Sequence, residues 1–251
     1  MATDRPPLAP ERAALIGQYE GLRVTDVCDG LDRCGLQDVG LMDWEIRPLW
    51  RDIERFQHRI YGFAHTVRFV PTRRRMPTGT PEEIDAAISH WYRTYARGPL
   101  PDQIQAGDVI VIDAAGIPDT GFIGSNNALG WIARGAAGVV TNGGCRDTDE
   151  LIKQQVPVYS KKISRGIRPG RLELDRTMEP VTVGGVLVRP GDLIVADGDG
   201  VIVVPIEVAE QVAHWARRVA DGDKAGRRRL YETLGRPLDL SLIHISEPTR
   251  Q

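Results

Sequence analysis

Cysteine is scarce: the 251 residues hold three, Cys28, Cys34 and Cys145, and no CxxC spacing. An odd, small number without paired spacing argues against a disulfide framework and fits a reducing, cytoplasmic setting. It also argues against a thiolate zinc site. Net charge is nearly missing, −2 from 32 basic and 34 acidic residues. That balance points to no nucleic-acid partner and no membrane surface. The exceptions are two short runs, Arg73-Arg74-Arg75 and Arg227-Arg228-Arg229, which read as solvated faces or loop rims. No apolar run approaches a membrane span. The opening residues, MATDRPPLAPER, lack the apolar stretch of a secretory signal. Their prolines and mixed charges read as a loosely packed arm.

What is present suffices for one buried core: 41% of residues are hydrophobic in a chain of this length. Residues 11–20 can form a short helix, and TDVCDGLDRCG (25–35) a second, with Thr25 as N-cap and a stop at Gly35. YGFAHTVRFVP (61–71) alternates as a strand does. The segment 80–97 is the clearest helix, with Thr80 as N-cap, Pro81 at the first helical position and Glu83 completing a capping box. Its stripe Ile84, Ala87, Ile88, Trp91, Tyr92 and Tyr95 predicts core packing or a subunit contact. DVIVIDAAG (108–116) and AGVVTNGG (137–144) are continuous apolar runs ending in glycine, the pattern of strands buried on both faces. Between them, 125–134 is helical. RDTDELIKQQ (146–155) starts a helix with acids in its first turns, and VPVYS (156–160) is a short strand. Short strands with Gly, Pro and Asp turns fill 180–205. In 206–220, Val208, Val212, Trp215 and Val219 share a helical face. The order implies a single α/β domain. The last eleven residues, SLIHISEPTRQ (241–251), break with this pattern and resemble a translated sequencing adapter, so they do not enter the fold reasoning.

Three pieces could carry chemistry. Gly124-Ser125-Asn126-Asn127 follows a strand and opens a helix, where backbone N–H groups favour an anion such as a small carboxylate; plain loop geometry gives the same pattern. Gly143-Gly144-Cys145-Arg146-Asp147 ends the next strand, the place where ligands bind in α/β sheets. Arg146 offers a planar fork for a carboxylate or enolate oxygen. Asp147 offers a hard oxygen ligand for Mg²⁺ or Mn²⁺. An Arg-Asp pair capping a helix accounts for these residues equally well. Asp113, Asp197 and Asp199 are candidates to hold metal-bound waters, or are turn residues. His65 and His90 are the histidines to check as a general base. Cys145 has no obvious His partner to activate it.

The stretch GFIGSNNALGWIARGAAGVVTNGGCRDTDEL (121–151) resembles the signature of the RraA-like family. That family includes 4-hydroxy-4-methyl-2-oxoglutarate/4-carboxy-4-hydroxy-2-oxoadipate aldolases and regulators of ribonuclease E activity. TDVCDGLDRCG, GDVIVIDAAG (107–116), VPVYS and PVTVGGVLVRPGDLIVADGDGVIVVP (180–205) extend the resemblance over roughly 20–220. It implies a swivelling β/β/α sandwich as one domain at 20–220. A 1–19 arm, a 221–240 extension and the 241–251 tail flank that domain. It implies a homotrimer or homohexamer with sites near subunit interfaces. It assigns catalysis to Arg146 and Asp147, metal binding to Asp147, substrate binding to Arg146, and the substrate carboxylate to the backbone of 124–127. One position departs: where the aldolases carry an acid twenty-one residues before the arginine, Ser125 stands here. Asp113 or Asp119 is a candidate to compensate. The acid three residues after Asp147 is kept as Glu150.

The chemistry implied is that of a divalent-metal-dependent carbon–carbon lyase. A 2-oxo acid chelates Mg²⁺ or Mn²⁺, which acts as a Lewis acid. Loss of the C3–C4 bond gives pyruvate through a metal-bound enolate stabilised by Arg146. Retro-aldol cleavage needs a base for the 4-hydroxyl proton. Oxaloacetate decarboxylation does not, and is the easier activity to keep with Ser125. The alternative from another class is a non-catalytic regulator that binds a ribonuclease through its protein surface. Such a binder has no need of Arg146, Asp147 and the 124–127 loop. A methyltransferase reading lacks a glycine-rich nucleotide loop after an early strand.

Overall fold

In a computed structural model, described over residues 6–98, 101–114, 117 and 119–242, the chain winds around one nine-stranded sheet. Two helices come first, α1 (Pro10–Tyr19) and α2 (Val24–Arg33). Strands β1 (Arg47–Pro48) and β2 (Ile60–Pro71) precede α3 (Pro81–Thr94). Then follow β3 (Asp108–Asp113), β4 (Gly121–Ile123), α4 (Ser125–Ala133), β5 (Gly138–Cys145), α5 (Thr148–Lys153) and β6 (Val158–Ile163). Four short strands, β7 (Leu172–Thr177), β8 (Val181–Val183), β9 (Val186–Val188) and β10 (Leu193–Asp197), lead to β11 (Gly200–Val204) and the long α6 (Ala209–Thr233). The sheet order is β1-β6-β5-β3-β2-β10-β11, with β4 added to β5 and β7 to β2. The run β6-β5-β3-β2 is parallel, while β1, β7, β10 and β11 are antiparallel to their neighbours. This is the mixed α/β architecture that the order of elements implied.

The apolar runs fill both faces of the central strands. In β3, Ile110 and Ile112 join a core with Phe69, Phe122, Trp91 and Trp131. Val109 and Val111 point the other way, into a core closed by the β8–β9 hairpin through Val181, Val183, Val186 and Val188. The period of two thus puts alternate residues into two cores. Along β10 and β11 the reverse face, Leu193, Val195, Ile202 and Val204, meets α1, α2 and α6 in a third.

Three local expectations are corrected. Arg23, not Thr25, is the N-cap of α2. The Asp26 carboxylate accepts from the Arg23 backbone N–H at 2.9 Å and from its guanidinium Nε at 3.0 Å, so the N3 acid decides where the helix starts. On α6 the buried face is Ala209, Val212, Ala213, Ala216 and Ala220, while Trp215 and Val219 stay half-exposed. Small side chains win because α2 crosses closely. On α3 the predicted stripe buries Trp91, with Tyr92 and Tyr95 packed partly buried against the same core and Ile84, Ala87 and Ile88 outside it; the Trp91 indole N–H donates to the Leu172 carbonyl at 3.0 Å. The capping box at Thr80 and Glu83 forms as expected. The expected tail falls outside the described residues except for Ser241 and Leu242, and so do Ala115 and Gly116 of the apolar run 108–116.

The α2–α6 crossing yields a signed prediction. A Cβ on Gly30 would stand 2.7 Å from the Val212 carbonyl oxygen and 3.2 Å from the Ala216 Cβ. Helix propensity alone makes Gly30→Ala stabilising by about 1 kcal/mol, whereas overpacking costs about 1–3 kcal/mol. Gly30→Ala is therefore expected to lower the melting temperature by roughly 2–4 °C per net kcal/mol, read by thermal unfolding. A rise in Tm would show that the two helices can separate without cost.

Candidate functional site

Strands β4 and β5 pair in parallel, Gly121 opposite Gly144 and Ile123 opposite Cys145, and each runs straight into a helix. That brings the starts of α4 and α5 side by side at the carboxyl ends of the strands. Arg146 and Asp147 follow β5 as Gly124 follows β4, the strand that Gly121 begins. A Cβ on Gly121 would lie 2.7 Å from Arg146 Cγ, and one on Gly124 would lie 2.7 Å from Asp147 Oδ2. Glycine at both positions makes the seat for these two side chains.

Asp147 is the N-cap of α5 with φ 56°, ψ 44°, a left-handed conformation that Asp and Asn tolerate better than other non-glycine residues. That twist turns its carboxylate across to α4. The Ser125 N–H donates to Asp147 Oδ2 at 3.0 Å, and the Ser125 hydroxyl reaches the same oxygen at 3.4 Å. Arg146 Nε donates to Asp147 Oδ1 at 3.2 Å. Burial pushes the Asp147 carboxyl up, but these donors outweigh it and hold it below the usual carboxylate range. The group is a stable anion, one-third exposed.

Arg146 and Asp147 line a cavity of about 610 Å³ together with Gly124, Asn126, Asn127 and Trp131. The structure thus gathers the predicted residues Gly124, Asn126, Asn127, Arg146 and Asp147 around one space. Ser125 stands behind it, as a donor to Asp147. The expected compensating acids are elsewhere. Asp119 pairs with Arg165, and Asp113 faces Arg68 at 3.5 Å and the Asn142 amide at 3.2 Å. Neither lines the cavity, nor does the exposed Glu150. The candidate waters' holder Asp197 is a structural tie: it accepts from the Val24 N–H at 3.0 Å and the Asp199 N–H at 2.8 Å. His65 is buried against Asp108 at 3.2 Å, in a network completed by Arg12. His90 is exposed and stands edge-on to Tyr95. Neither histidine reaches the cavity.

Sequence reasoning missed the far wall. Arg168, only 5% exposed, lines the same cavity with Arg97, Gly98 and Tyr92. One guanidinium nitrogen donates to the Ala96 carbonyl at 3.1 Å and the Gly98 carbonyl at 3.4 Å, and the group lies against the rings of Tyr92 and Phe69. No carboxylate among the described residues pairs with it. Burial lowers its proton affinity. An arginine twenty-two residues after the Arg-Asp pair gives no sequence signal, because α3 brings its partners from far upstream.

An α/β fold whose paired helix starts present an Arg-Asp dipeptide to a glycine-lined cavity defines the class. The chain belongs to the RraA-like family: the Aldolase/RraA family profile matches residues 24–203. It is 37% identical over 105 residues to a Thermus thermophilus protein named 4-hydroxy-4-methyl-2-oxoglutarate aldolase, a match covering 40% of this chain and 60% of that one. The matched stretches span 29%, 60% and 63% of the length of three curated relatives. An uncharacterized protein of Pseudomonas syringae pv. tomato superposes with TM-score 0.69 at 25% identity, covering 95% of this chain and all of that one. Streptomyces coelicolor RraAS2, titled an unusual member of the RNase ES inhibitor RraA protein family, does so with TM-score 0.65 at 25% identity, covering 89% and 98%.

Cys145 sits one residue before the pair, fully buried, its thiol 3.3 Å from the Ser160 hydroxyl. Burial pushes this thiol up, so at pH 8 its thiolate fraction is below that of a free cysteine with pKa near ~8.5. In native protein at pH 8, Cys145 is expected to resist alkylation and to label only on unfolding, measured by mass spectrometry. Rapid native labelling would mean that the β5–α5 turn opens.

Proposed function

We propose that this cavity cleaves the C3–C4 bond of a 2-oxo acid and releases pyruvate. The observation that carries the reading is the Asp147 carboxylate, held as an anion beside Arg146 and the first turn of α4 in one cavity. Among the described residues no cluster of three or more His, Cys, Asp and Glu could hold a metal. A closed structural zinc site therefore does not fit. Mg²⁺ or Mn²⁺ does, because such ions are often held by one or two carboxylates, with water and substrate oxygens completing the shell. Asp147 has about four lone-pair positions, and the Ser125 N–H and hydroxyl and Arg146 Nε occupy three of them. Bound there, the ion would supply the Lewis acid that polarises the 2-oxo group.

The chain's own residues do the rest. The first turn of α4 faces the substrate carboxylate with its dipole. Arg146 stabilises the oxygen that gains negative charge as the C3–C4 electron pair moves into the carbonyl, a contribution of about 2.7–4 kcal/mol for one such donor. In decarboxylation that pair is left behind by CO₂, and no hydroxyl proton has to be removed. In the retro-aldol direction the 4-hydroxyl proton must leave as the second carbonyl forms. Among the described residues no histidine or second carboxylate lines the cavity to take it. Decarboxylation of oxaloacetate is accordingly the more accessible reaction of the isolated subunit. A trimer or hexamer, with a neighbouring subunit supplying the base, is the assembly that would add the aldol activity.

Arg168 sharpens the substrate class. A buried cation without a carboxylate partner is costly unless something anionic meets it. With Arg97 beside it and Arg146 in the same cavity, the walls suit an acid carrying a second carboxylate. Ribonuclease regulation through protein surface requires none of these groups.

Asp147→Asn keeps the tolerance for left-handed backbone and removes the charge. Pyruvate release from oxaloacetate and from 4-hydroxy-4-methyl-2-oxoglutarate is expected with Mg²⁺ or Mn²⁺. It should stop with EDTA and fall at least roughly a hundredfold in Asp147→Asn. Folded protein with no release above the metal-only background would overturn the reading. Arg97→Ala and Arg168→Met should each raise KM for the dicarboxylic substrate roughly tenfold, with pyruvate inhibition unchanged. Equal loss of pyruvate affinity would instead mark a general disturbance of the cavity. Arg97 is exposed, so its variant keeps the test valid if Arg168→Met does not fold.

A further inference from the structure

A wider concavity lies away from this site. Between the C-terminal end of α1, the 55–59 loop with the start of β2, the outer face of α6 and residues 240–241 opens a groove of about 1010 Å³, sharing no lining residue with the Arg146–Asp147 cavity. Seven cationic side chains face it against two carboxylates, Glu20 and Asp221. The cations come from three separate parts of the chain: Arg23 from the start of α2, Arg55 and Arg59 from the loop, and Arg217, Arg218, Lys224 and Arg227 from α6. Several are held in place. Arg217 donates to the carbonyls of Gln18 and Glu20 at 2.8 and 2.9 Å. Arg23 bridges Asp26 and Asp223, the latter at 2.8 Å. Arg59 stacks on Phe56, 4.1 Å from the ring centre, with its buried Nε lacking any hydrogen-bond partner. Phe56 itself adopts φ 57°, a strained conformation for a bulky residue that places its ring under the guanidinium.

Held, mutually repelling cations in a concave wall focus positive potential and reduce the ordering cost of binding an anion. The crowding is visible at Lys224, whose amino group is pulled down by burial and by Arg217 and Arg227, with Asp221 and Asp26 opposing. Guanidinium forks match phosphate oxygens in pairs. The volume lies at the upper end of ordinary small-molecule sites, far more than one inorganic ion needs, and Phe56, Tyr61 and His214 add ring surface to the lining. We propose that this groove is a second binding site, for a phosphorylated small molecule of nucleotide size whose phosphate chain lies along Arg59, Arg218 and Lys224.

The test is isothermal titration of the full chain with inorganic tripolyphosphate and with ATP at physiological ionic strength, beside sedimentation of each variant. Both probes are expected to bind, ATP more tightly than tripolyphosphate. The double variant Arg218→Glu/Lys224→Glu should weaken both roughly tenfold or more. Arg228→Glu removes the same kind of charge from an exposed position of α6 outside the groove, and should change either affinity by less than about twofold. The proposal is overturned if neither probe binds, or if Arg228→Glu weakens binding as much as the double variant, which would make the effect one of net charge. It is also overturned if the double variant changes the assembly's mass while neither probe binds, which would make the groove a contact between copies of the chain.

Discussion

The architecture rests on burying β3 on both faces. A strand that is apolar at nearly every position cannot sit at an edge or face water. It must lie between β2 and β5 with a layer on either side, and the structure supplies α3 and α4 on one side and the β8–β9 hairpin on the other. Once β2, β3 and β5 are parallel, their carboxyl ends coincide, and so do the helix starts that follow. The site is a consequence of that alignment: β4 joins β5 in the same sense, and two helix N-termini open next to each other.

Within that frame the chemistry depends on backbone proximity. Gly121 and Gly124 leave room for Arg146 and Asp147, and the left-handed turn at Asp147 sends its carboxylate to the neighbouring helix. Ser125 changes meaning in this setting. Where an acid would add charge near Asp147, serine adds a hydroxyl donor to the backbone N–H that any residue there would supply, and both point to the carboxylate. On the proposed reading, the reaction would draw on a pre-oriented carboxylate and guanidinium, which need little rearrangement as charge develops.

The two arginine-rich regions contrast instructively. Arg168 is buried, clamped by the carbonyls that follow α3, and faces the cavity of the Arg-Asp pair. The cations of α6 are spread along a helix and gather with Arg23, Arg55 and Arg59 only because α1 and the 55–59 loop pack beside it. The run Arg227-Arg228-Arg229 divides accordingly: Arg227 turns into the groove, while Arg228 and Arg229 remain solvated.

Legible in the sequence were the strands that alternate or run apolar, the capped helix expected over 80–97, which ends at Thr94, and the dipeptide Arg146-Asp147 after a Gly-Gly strand end. Each of these signals is local, set by side-chain period, capping chemistry or a glycine turn. It could not determine which helical face would be buried on α6, because that depended on how closely α2 approaches, and Gly30 against Val212 and Ala216 is a contact across more than 180 residues. The family resemblance singled out Asp147, but the sequence could not place Asp113, Asp119 and Asp197, three acids near strand ends whose partners lie far away in the chain. That Asp197 ties α2 to a turn, that Asp119 pairs with Arg165, and that Asp147 shares a cavity with Arg168 emerged from the folded chain alone. The physical reason is that a carboxylate's role follows from its neighbours' charge and its access to water, and both are properties of packing.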